Sequence, residues 1–598
     1  MGNFSLAHQR LRVLTAISLV VLMLFALRLI DIQAVQAQSY ALRASNEMSR
    51  TTIAPASRGS ITDVNGTEFA RSVAAIDVVV DQSLIKDPLQ AAKIAAPILG
   101  MTVSDVQKQI TGKRLWWRVA RNVKPATWMS LNNAFTRYNA SLDKDHQDKR
   151  IFGFFGERVY TREYPSGSLI ASLVGFVNQE GVGATGLESS MNSQISGTAG
   201  KYMYAYGYGA QIPGSQQELI TAKSGTTVRL TIDRDVQWVA SQAILQAVKS
   251  AHAISGTVIV MDPKTGQILA HATAPTFDPN NTKNVSLVAM RNPSVQDVYE
   301  PGSTGKVMTM AAAIEEGKIT PTSVFTVPWA YKVSDAVFHD HEKHATERLT
   351  TTGILAVSSN TGTIQIGEQM SHSTLYNYLR SFGIGSSTGS GLPGESAGLL
   401  PALKDWSGTT APTVAFGQGY SLTAMQATSV FATIANNGVR VSPTVVAGTS
   451  DASGHFTPSP TRESVKVVSP ETAKIMRAMM ESVVSANGTA PEAAIEGYRI
   501  AGKTGTAMRH NDACNCYSGY TASFIGFAPA DAPRFVVSVT IQGPQGIHWG
   551  GTLGAPVFKK VMSFVLATKH ISPTTTTLTP YPLNEKQVAR ATVKKAKA

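Results

Sequence analysis

The longest uncharged apolar stretch of the chain comes first. Arg10 and Arg12 precede Val13 to Leu27, and after Arg28 the apolar run resumes through Ile32. Fifteen residues fall short of the roughly 20 that span a bilayer, but the aliphatic stem of Arg28 can lie in lipid while its charge reaches the interface. Two readings compete: an anchor over 13–33, or a signal peptide cleaved near Val35-Gln36-Ala37. Either one exports the rest of the chain. The two arginines hold residues 1–12 on the cytoplasmic side. No later segment reaches membrane length, so everything beyond is expected to form one extracytoplasmic body.

Periodicity divides that body. Residues 34–50 read as a polar helix, and Arg58-Gly-Ser-Ile-Thr-Asp-Val-Asn-Gly66 as a short strand ending in an Asn-Gly turn. Short strands and helices mix over 70–220, where tyrosines at 202, 204, 206 and 208 alternate as in a strand and Gly186-Leu187-Glu188 stands out. A new pattern starts near 221. Thr227–Ile232 predicts a strand, Asp233 can cap the helix after it, and 256–261 with 267–272 predict a hairpin across Asp262–Gly266. Helical spacing dominates 303–440. Strands return at 498–501, 522–527 and 535–541, and 557–566 closes as a helix. Strands at both ends with helices between predict an α+β unit whose sheet is assembled from the two termini and covered by helices. The divisions expected are a cytoplasmic N-terminus (1–12), an anchor (13–33), a mixed α/β domain (34–220), an α+β domain (221–570) and a disordered basic tail (571–598).

Composition narrows the class without fixing it. With 598 residues, 43% of them hydrophobic, the chain is long enough for two to four folded units, and neither disorder nor a collagen-like period fits. Net charge is +13, which suits an anionic surface. Export argues against nucleic acid as that surface. Two cysteines, Cys514 and Cys516, exclude a disulfide framework and a four-cysteine zinc site. Bridging i to i+2 is strained yet allowed in an oxidising compartment, so their redox state stays open. His339, His341 and His344 flank Asp340, but their spacing is loose and the bland reading is an exposed loop.

Three motifs carry candidate chemistry. In Ser303-Thr-Gly-Lys306 the serine opens a helix marked by Val307, Met310, Ala311 and Ile314, and Lys306 at i+3 shares its face. The helix dipole favours negative charge there, and a neutral lysine could take the serine proton. Ser358-Ser359-Asn360 breaks two helical stretches and could present a hydroxyl and an amide to a cleft. Lys503-Thr-Gly-Thr506 follows the strand 498–501, where glycine lets a ligand approach the backbone and the lysine and hydroxyls could bind a carboxylate. Each pattern alone is weak: Ser83–Lys86, Ser190–Asn192 and Lys264–Gly266 match equally well. The order of the three, with 55 residues from Ser303 to Ser358 and 143 from Asn360 to Lys503, carries the weight.

S-x-x-K, S-x-N and K-T-G in this order resemble the serine penicillin-binding proteins and β-lactamases. Asn292–Ser303, Gly417–Thr423, Gly497–Lys503, Gly526–Pro529 and Ala555–Lys559 further resemble the division-specific class B penicillin-binding proteins, the FtsI family. Arg58–Gly66 resembles the family's R-G-x-I-x-D-R-N-G, with Val64 in place of its arginine. The resemblance runs from the anchor to about 566 and favours the anchor over the signal peptide. It implies a single transmembrane helix, a dimerisation or pedestal domain, and a transpeptidase domain with an antiparallel sheet sandwiched by helices, as in serine β-lactamases.

The implied reaction is D,D-transpeptidation of peptidoglycan stem peptides through a serine acyl-enzyme, inhibited by β-lactams and needing no metal or cofactor. Ser303 would be the nucleophile, Lys306 the base and Ser358 a proton relay. Asn360, Lys503, Thr504, Gly505 and Thr506 would bind the donor, and the backbone N–H groups of Ser303 and Thr506 would form the oxyanion hole. Implied partners are the septal glycosyltransferase FtsW and other divisome proteins. The alternatives weighed are an elongation-specific class B transpeptidase and a non-catalytic β-lactam sensor or septal scaffold. A bifunctional enzyme would need a glycosyltransferase signature that 34–220 lacks.

Overall fold

A computed structural model describes residues 3–207, 210–211, 215–511, 514–577 and 579–597. The apolar N-terminal stretch forms the helix Asn3–Ile30, continued by a short turn to Val35. The 29 residues Ala7–Val35 have the length and apolar character to cross a bilayer, and their hydrophobic side chains are exposed. A polar helix, Ala37–Met48, follows as expected.

The rest of the chain divides into two compact units. The first includes residues 73–161 and 197–224. Its core joins Val78 and Val80 of one strand to Ala91, Ala92 and Ala95 of the helix Pro88–Leu99 and to Leu131 and Phe135 of Pro125–Ser141. The alternating tyrosines fall on the strand Gly200–Gly207, which pairs antiparallel with Ser49–Ala54, and Tyr208 lies outside the described residues.

The second unit comprises 58–72, 162–196 and 225 onward. Its Arg58–Gly66 segment makes the expected turn: Asp63 accepts hydrogen bonds from the backbone of Asn65 and Thr67, and Gly66 takes a positive φ of 91°. Glu188, fully buried, accepts from Arg58 at 2.7 Å and Arg162 at 2.6 Å. This explains why Gly186-Leu187-Glu188 stands out. Val64 is exposed, so the absent arginine leaves no buried vacancy.

The main sheet has five antiparallel strands in the order Ile268–Ala274, Ser255–Met261, Phe535–Gln542, Cys516–Ala528, Ala501–Asn511. Every residue of Ser255–Met261 and Ile268–Ala274 is buried, the mark of a sheet covered on both faces. Helices Arg234–Ser250 and Gly550–Thr568 cover one face. Ile244 and Val248 crowd the bare Cα of Gly256, and the rings of Phe524 and Phe558 meet at 4.9 Å. The fully buried helix Ala424–Ala435 packs on the sheet from the other side. Asp233 caps Arg234–Ser250, as its position predicts.

Three expectations need correction. The strand expected at 498–501 runs from Ala501 to Asn511, so Lys503-Thr-Gly-Thr506 lies inside it rather than after it; hydrogen bonding to Cys516–Ala528 outweighs the turn propensity of glycine. The helical region 303–440 contains two strand pairs, Val324–Val327 with Glu347–Thr350 and Ala330–Val333 with Ala336–His339. The stretch from 571, expected to be a disordered tail, is a strap in its described part. Thr574 donates its N–H to Gly497, Tyr498 donates to the Ile571 carbonyl, and Thr350 donates its N–H to Leu583. Arg348 pairs with Glu585 at 2.9 Å, where the helix Glu585–Lys597 begins. Composition hides this because the partners that dock the strap, backbone and side chain alike, lie far from it in sequence.

Gly353 makes the strap's seat. A Cβ at that position would lie 1.9 Å from the Leu583 carbonyl oxygen. Gly353→Ala should therefore expel the strap or strain its helix, at a cost on the order of 1–3 kcal/mol read as a fall in denaturation midpoint. In a chain ended at residue 570 the same substitution should cost much less.

Candidate active site

The three motifs reach one place by three different local devices. Register places Lys503. Along Ala501–Asn511 it pairs with Ile525, which pairs with Ser538, which pairs with Ile259, so all four side chains share a face. Phe524 and Gly256 belong to the alternate set that faces Arg234–Ser250 and Gly550–Thr568. Lys503 therefore points away from those helices. Ser303 sits in the one-turn helix Gly302–Thr304, which leads through Gly305 into Lys306–Glu315. Three positions apart on nearly continuous turns, Ser303 and Lys306 share a side.

Glycines bring the serine turn against the strand. The Gly302 N–H donates to the Gly417 carbonyl at 2.8 Å, and a Cβ on Gly302 would sit 3.2 Å from the Thr506 carbonyl oxygen. A Cβ on Gly505 would sit 3.0 Å from the Pro301 carbonyl oxygen. On the far side, the hydroxyl of buried Tyr420 presses on Gly305. Gly417 and Tyr420 thus shape the wall of the serine turn.

Ser358-Ser359-Asn360 joins the helices Thr351–Ala356 and Asn360–Gly367, close to the break expected. Ser359 is the N-cap, accepting from the Gly362 N–H. Ser358 adopts φ +62°, a left-handed conformation uncommon for a side chain larger than glycine. That geometry turns its hydroxyl between two amines. Lys503 Nζ donates to Ser358 Oγ at 2.8 Å, and Lys306 Nζ lies 3.4 Å from the same oxygen. Lys306 also donates to the Ser358 carbonyl at 2.5 Å and to Asn360 Oδ1 at 2.7 Å. Lys503 adds the Thr504 carbonyl at 3.2 Å.

Both amines are completely buried, and their acidity follows. Burial pulls Lys306 from 10.5 down to about 7, against the opposing charge of Asp340. Burial also lowers Lys503 well below the lysine range, and the charge of Lys306 pushes it further down. Two adjacent ammoniums repel, so the pair resists carrying two protons.

The remaining predicted residues lie alongside. Thr504 is buried, with its hydroxyl 2.9 Å from that of Thr489. Thr506 is partly exposed, and its Oγ1 accepts from the Gly550 N–H at 3.2 Å. Gly505 lies between them on the edge strand. Asp340 is the residue that the pattern missed. Read only as the centre of a histidine-rich loop, it instead accepts from the backbone of Asn360 and Thr361. The signal available was its acidity ahead of a helix N-terminus, hidden by a separation of twenty positions. Each histidine is engaged separately: His344 on Asp340, the His339 ring on Trp329, the His341 ring on Trp549. Among the described residues, no three His, Cys, Asp or Glu side chains gather as a metal-binding group. Cys514 and Cys516 form a disulfide near the end of the strand Ala501–Asn511.

A buried lysine beside a serine turn, facing a K-T-G edge strand, defines a serine acyl-transfer site of the penicillin-recognising kind. Comparison with known proteins agrees. Residues 256–563 match the penicillin binding protein transpeptidase domain, and residues 53–230 match the penicillin-binding protein dimerisation domain. Penicillin-binding protein PbpB of Mycolicibacterium smegmatis is 35% identical over 92% of this chain and 88% of its own length. Peptidoglycan D,D-transpeptidase FtsI of Escherichia coli is 32% identical over 86% of this chain and 84% of its own length. The crystal structure of penicillin binding protein 3 from Mycobacterium tuberculosis complexed with aztreonam superposes with a TM-score of 0.69 at 30% identity, covering 89% of this chain and all of that one. The chain belongs to the class B penicillin-binding proteins, with relatives of the PbpB and FtsI type.

The left-handed conformation at 358 is testable without any substrate. Ser358→Gly and Ser358→Ala both remove the hydroxyl, but only glycine adopts this backbone freely. Ser358→Gly should be the more stable of the two by about 1 kcal/mol in equilibrium denaturation.

Proposed function

We propose that this protein is a membrane-anchored D,D-transpeptidase that cross-links peptidoglycan stem peptides at the division septum and is acylated by β-lactams. The observation that carries the reading is the Ser358 hydroxyl held between two buried lysine amines beside the Ser303 turn. A lysine near pKa 7 is half neutral at physiological pH, the condition for taking a proton from serine.

The residues then act as follows. Ser303 Oγ attacks the carbonyl between the two terminal D-alanines of a donor stem peptide while its proton passes to Lys306 Nζ. The backbone N–H groups of Ser303 and Thr506 receive the oxyanion; one such donor contributes on the order of 10²–10³-fold. The C–N bond breaks, the departing D-alanine amine takes a proton returned through Ser358, and an ester to Ser303 remains. The amine of a second stem peptide attacks that ester, gives up its proton by the same route and restores the serine. Asn360 holds the donor backbone, and Lys503 with Thr504 and Thr506 receives its carboxylate beside Gly505. The energy of the broken amide is conserved in the ester, so the chemistry runs outside the cell without ATP.

The anchor is Ala7–Val35, with the N-terminus cytoplasmic and the catalytic unit outside. The domain divisions at 34–220 and 221–570 serve as pedestal and catalytic body. Septal partners, among them the glycosyltransferase FtsW, are part of this proposal through the FtsI-type relationship.

Fluorescent penicillin labelling of membranes tests the nucleophile. Ser303→Ala should lose the label and, in cells, arrest division with filamentation; unchanged labelling would defeat the assignment. The base is tested by pH. Only neutral Lys306 can accept the proton, so protonation below its pKa removes the active form. The acylation rate constant should rise through about pH 7 and level off above it. An acid limb near 10 would exclude Lys306 as the base.

A further inference from the structure

Asp340 has a side chain that is only 8% exposed, and its partners converge on one turn. Its Oδ1 accepts the N–H of Asn360 at 2.5 Å and of Thr361 at 2.9 Å. Its Oδ2 accepts from Ser359 Oγ at 2.6 Å and pairs with His344 Nε2 at 3.0 Å. The Asn360 side chain closes the circuit: its Nδ2 donates to the His339 carbonyl, and its Oδ1 accepts from Lys306. We infer that Asp340 is a positioning residue for acyl transfer, its carboxylate fixing the turn that carries Ser358 and Asn360 while serving as the counter-charge of buried Lys306.

Helix capping alone does not account for this arrangement. Ser359 already fills the N-cap role by accepting from Gly362. A hydroxyl or a solvated side chain would satisfy the two N–H groups that Asp340 takes. A desolvated carboxylate is the costlier choice. What it adds is negative charge one residue away from the acceptors of Lys306, and its field does oppose the fall in the lysine's pKa. His344 screens the outer oxygen. Burial works against the charge of that imidazole, but the Ala345 carbonyl and Asp340 outweigh it and its pKa is raised.

The other charged groups of the region bear on the carboxylate differently. Lys306 is the lysine on which its charge acts, and Lys503 in turn feels the charge of Lys306. Lys343 lies over the Trp329 ring, Glu347 adds its charge near His344, and Glu342 is exposed. The His339 and His341 rings rest on Trp329 and Trp549. Asp340 is thus the acid that acts on Lys306.

The inference rests on the acyl-transfer reading of the site, and its test separates the two. The rate constant for acylation by fluorescent penicillin is measured on the full chain from pH 5 to 9, with Ser303→Ala alongside. If Ser303→Ala still labels, the reading of the site fails before Asp340 is judged. Given a wild-type acid limb, Asp340→Asn removes charge but little volume. It should lower the plateau by about 10- to 100-fold through misplacement of the turn. It should also move the acid limb to lower pH by about one unit, because Lys306 loses the charge that favours its protonated form. Asp340→Glu should keep the limb in place while recovering part of the plateau, and Glu342→Gln should change neither. An Asp340→Asn plateau that falls with its limb unmoved, or that does not fall, overturns the inference. Should Asp340→Asn fail to fold, as read from the stoichiometry of saturating label, Asp340→Glu carries the test, and a displaced limb in it overturns the inference equally.

Discussion

Two lysine side chains are buried side by side around one serine hydroxyl, and the surrounding structure is organised by the cost of keeping them there. Bringing Lys306 from 10.5 to about 7 corresponds to a penalty on the order of 5 kcal/mol against its charged form. That is comparable to the whole stability of many domains. The fold offsets part of it with acceptors rather than with a direct ion pair: the Ser358 carbonyl and Asn360 Oδ1 for Lys306, the Ser358 hydroxyl and the Thr504 carbonyl for Lys503. A carboxylate in direct contact would hold Lys306 protonated and useless as a base. A carboxylate one residue further back, at Asp340, supports the geometry and still leaves the amine able to titrate near neutrality.

Backbone carries much of the precision. The serine turn and the edge strand approach closely enough that a side chain at Gly302 or Gly505 would crowd a carbonyl oxygen and one at Gly417 would collide with one. Gly417 shows the constraint most sharply, since a Cβ there would fall 1.9 Å from the Gly302 carbonyl oxygen. Ser358 takes the opposite course: a residue with a side chain is held in the left-handed region because its hydroxyl is wanted between the amines. Strain at a reacting group and glycine at its neighbours are two sides of one packing requirement.

Local pattern revealed the parts that are local. The apolar helix, the Asp233 cap, the hairpin over 255–274 and the turn at Asp63 follow from periodicity and capping chemistry within a few residues. The motifs at Ser303, Ser358 and Lys503 were legible through their order, and the structure links Asn360, Lys306, Ser358 and Lys503 in one hydrogen-bonded chain. What stayed hidden depends on distant partners. Lys503-Thr-Gly-Thr506 reads as following a short strand until Cys516–Ala528 pairs with it. Residues 571–585 read as disordered until the carbonyls and N–H groups of Gly497 and Thr350 receive them. Asp340 reads as a loop residue because nothing in its neighbourhood of sequence announces a helix start twenty positions away.

Each catalytic segment has its own brace from elsewhere in the domain. The serine turn hangs on Gly417, the Ser358 turn on Asp340, and the K-T-G strand on Gly550 through Thr506. None of these braces lies within ten residues of the group it holds, and the helix before Ser358 is seated in turn on Leu583. Loop-closure entropy must therefore be met across most of the domain before any two reactive groups can meet. It follows that the lysines acquire their lowered basicity only when the whole unit is packed. A partly unfolded chain, with both amines in water, keeps them protonated and leaves the proton transfer proposed for Ser303 without an acceptor.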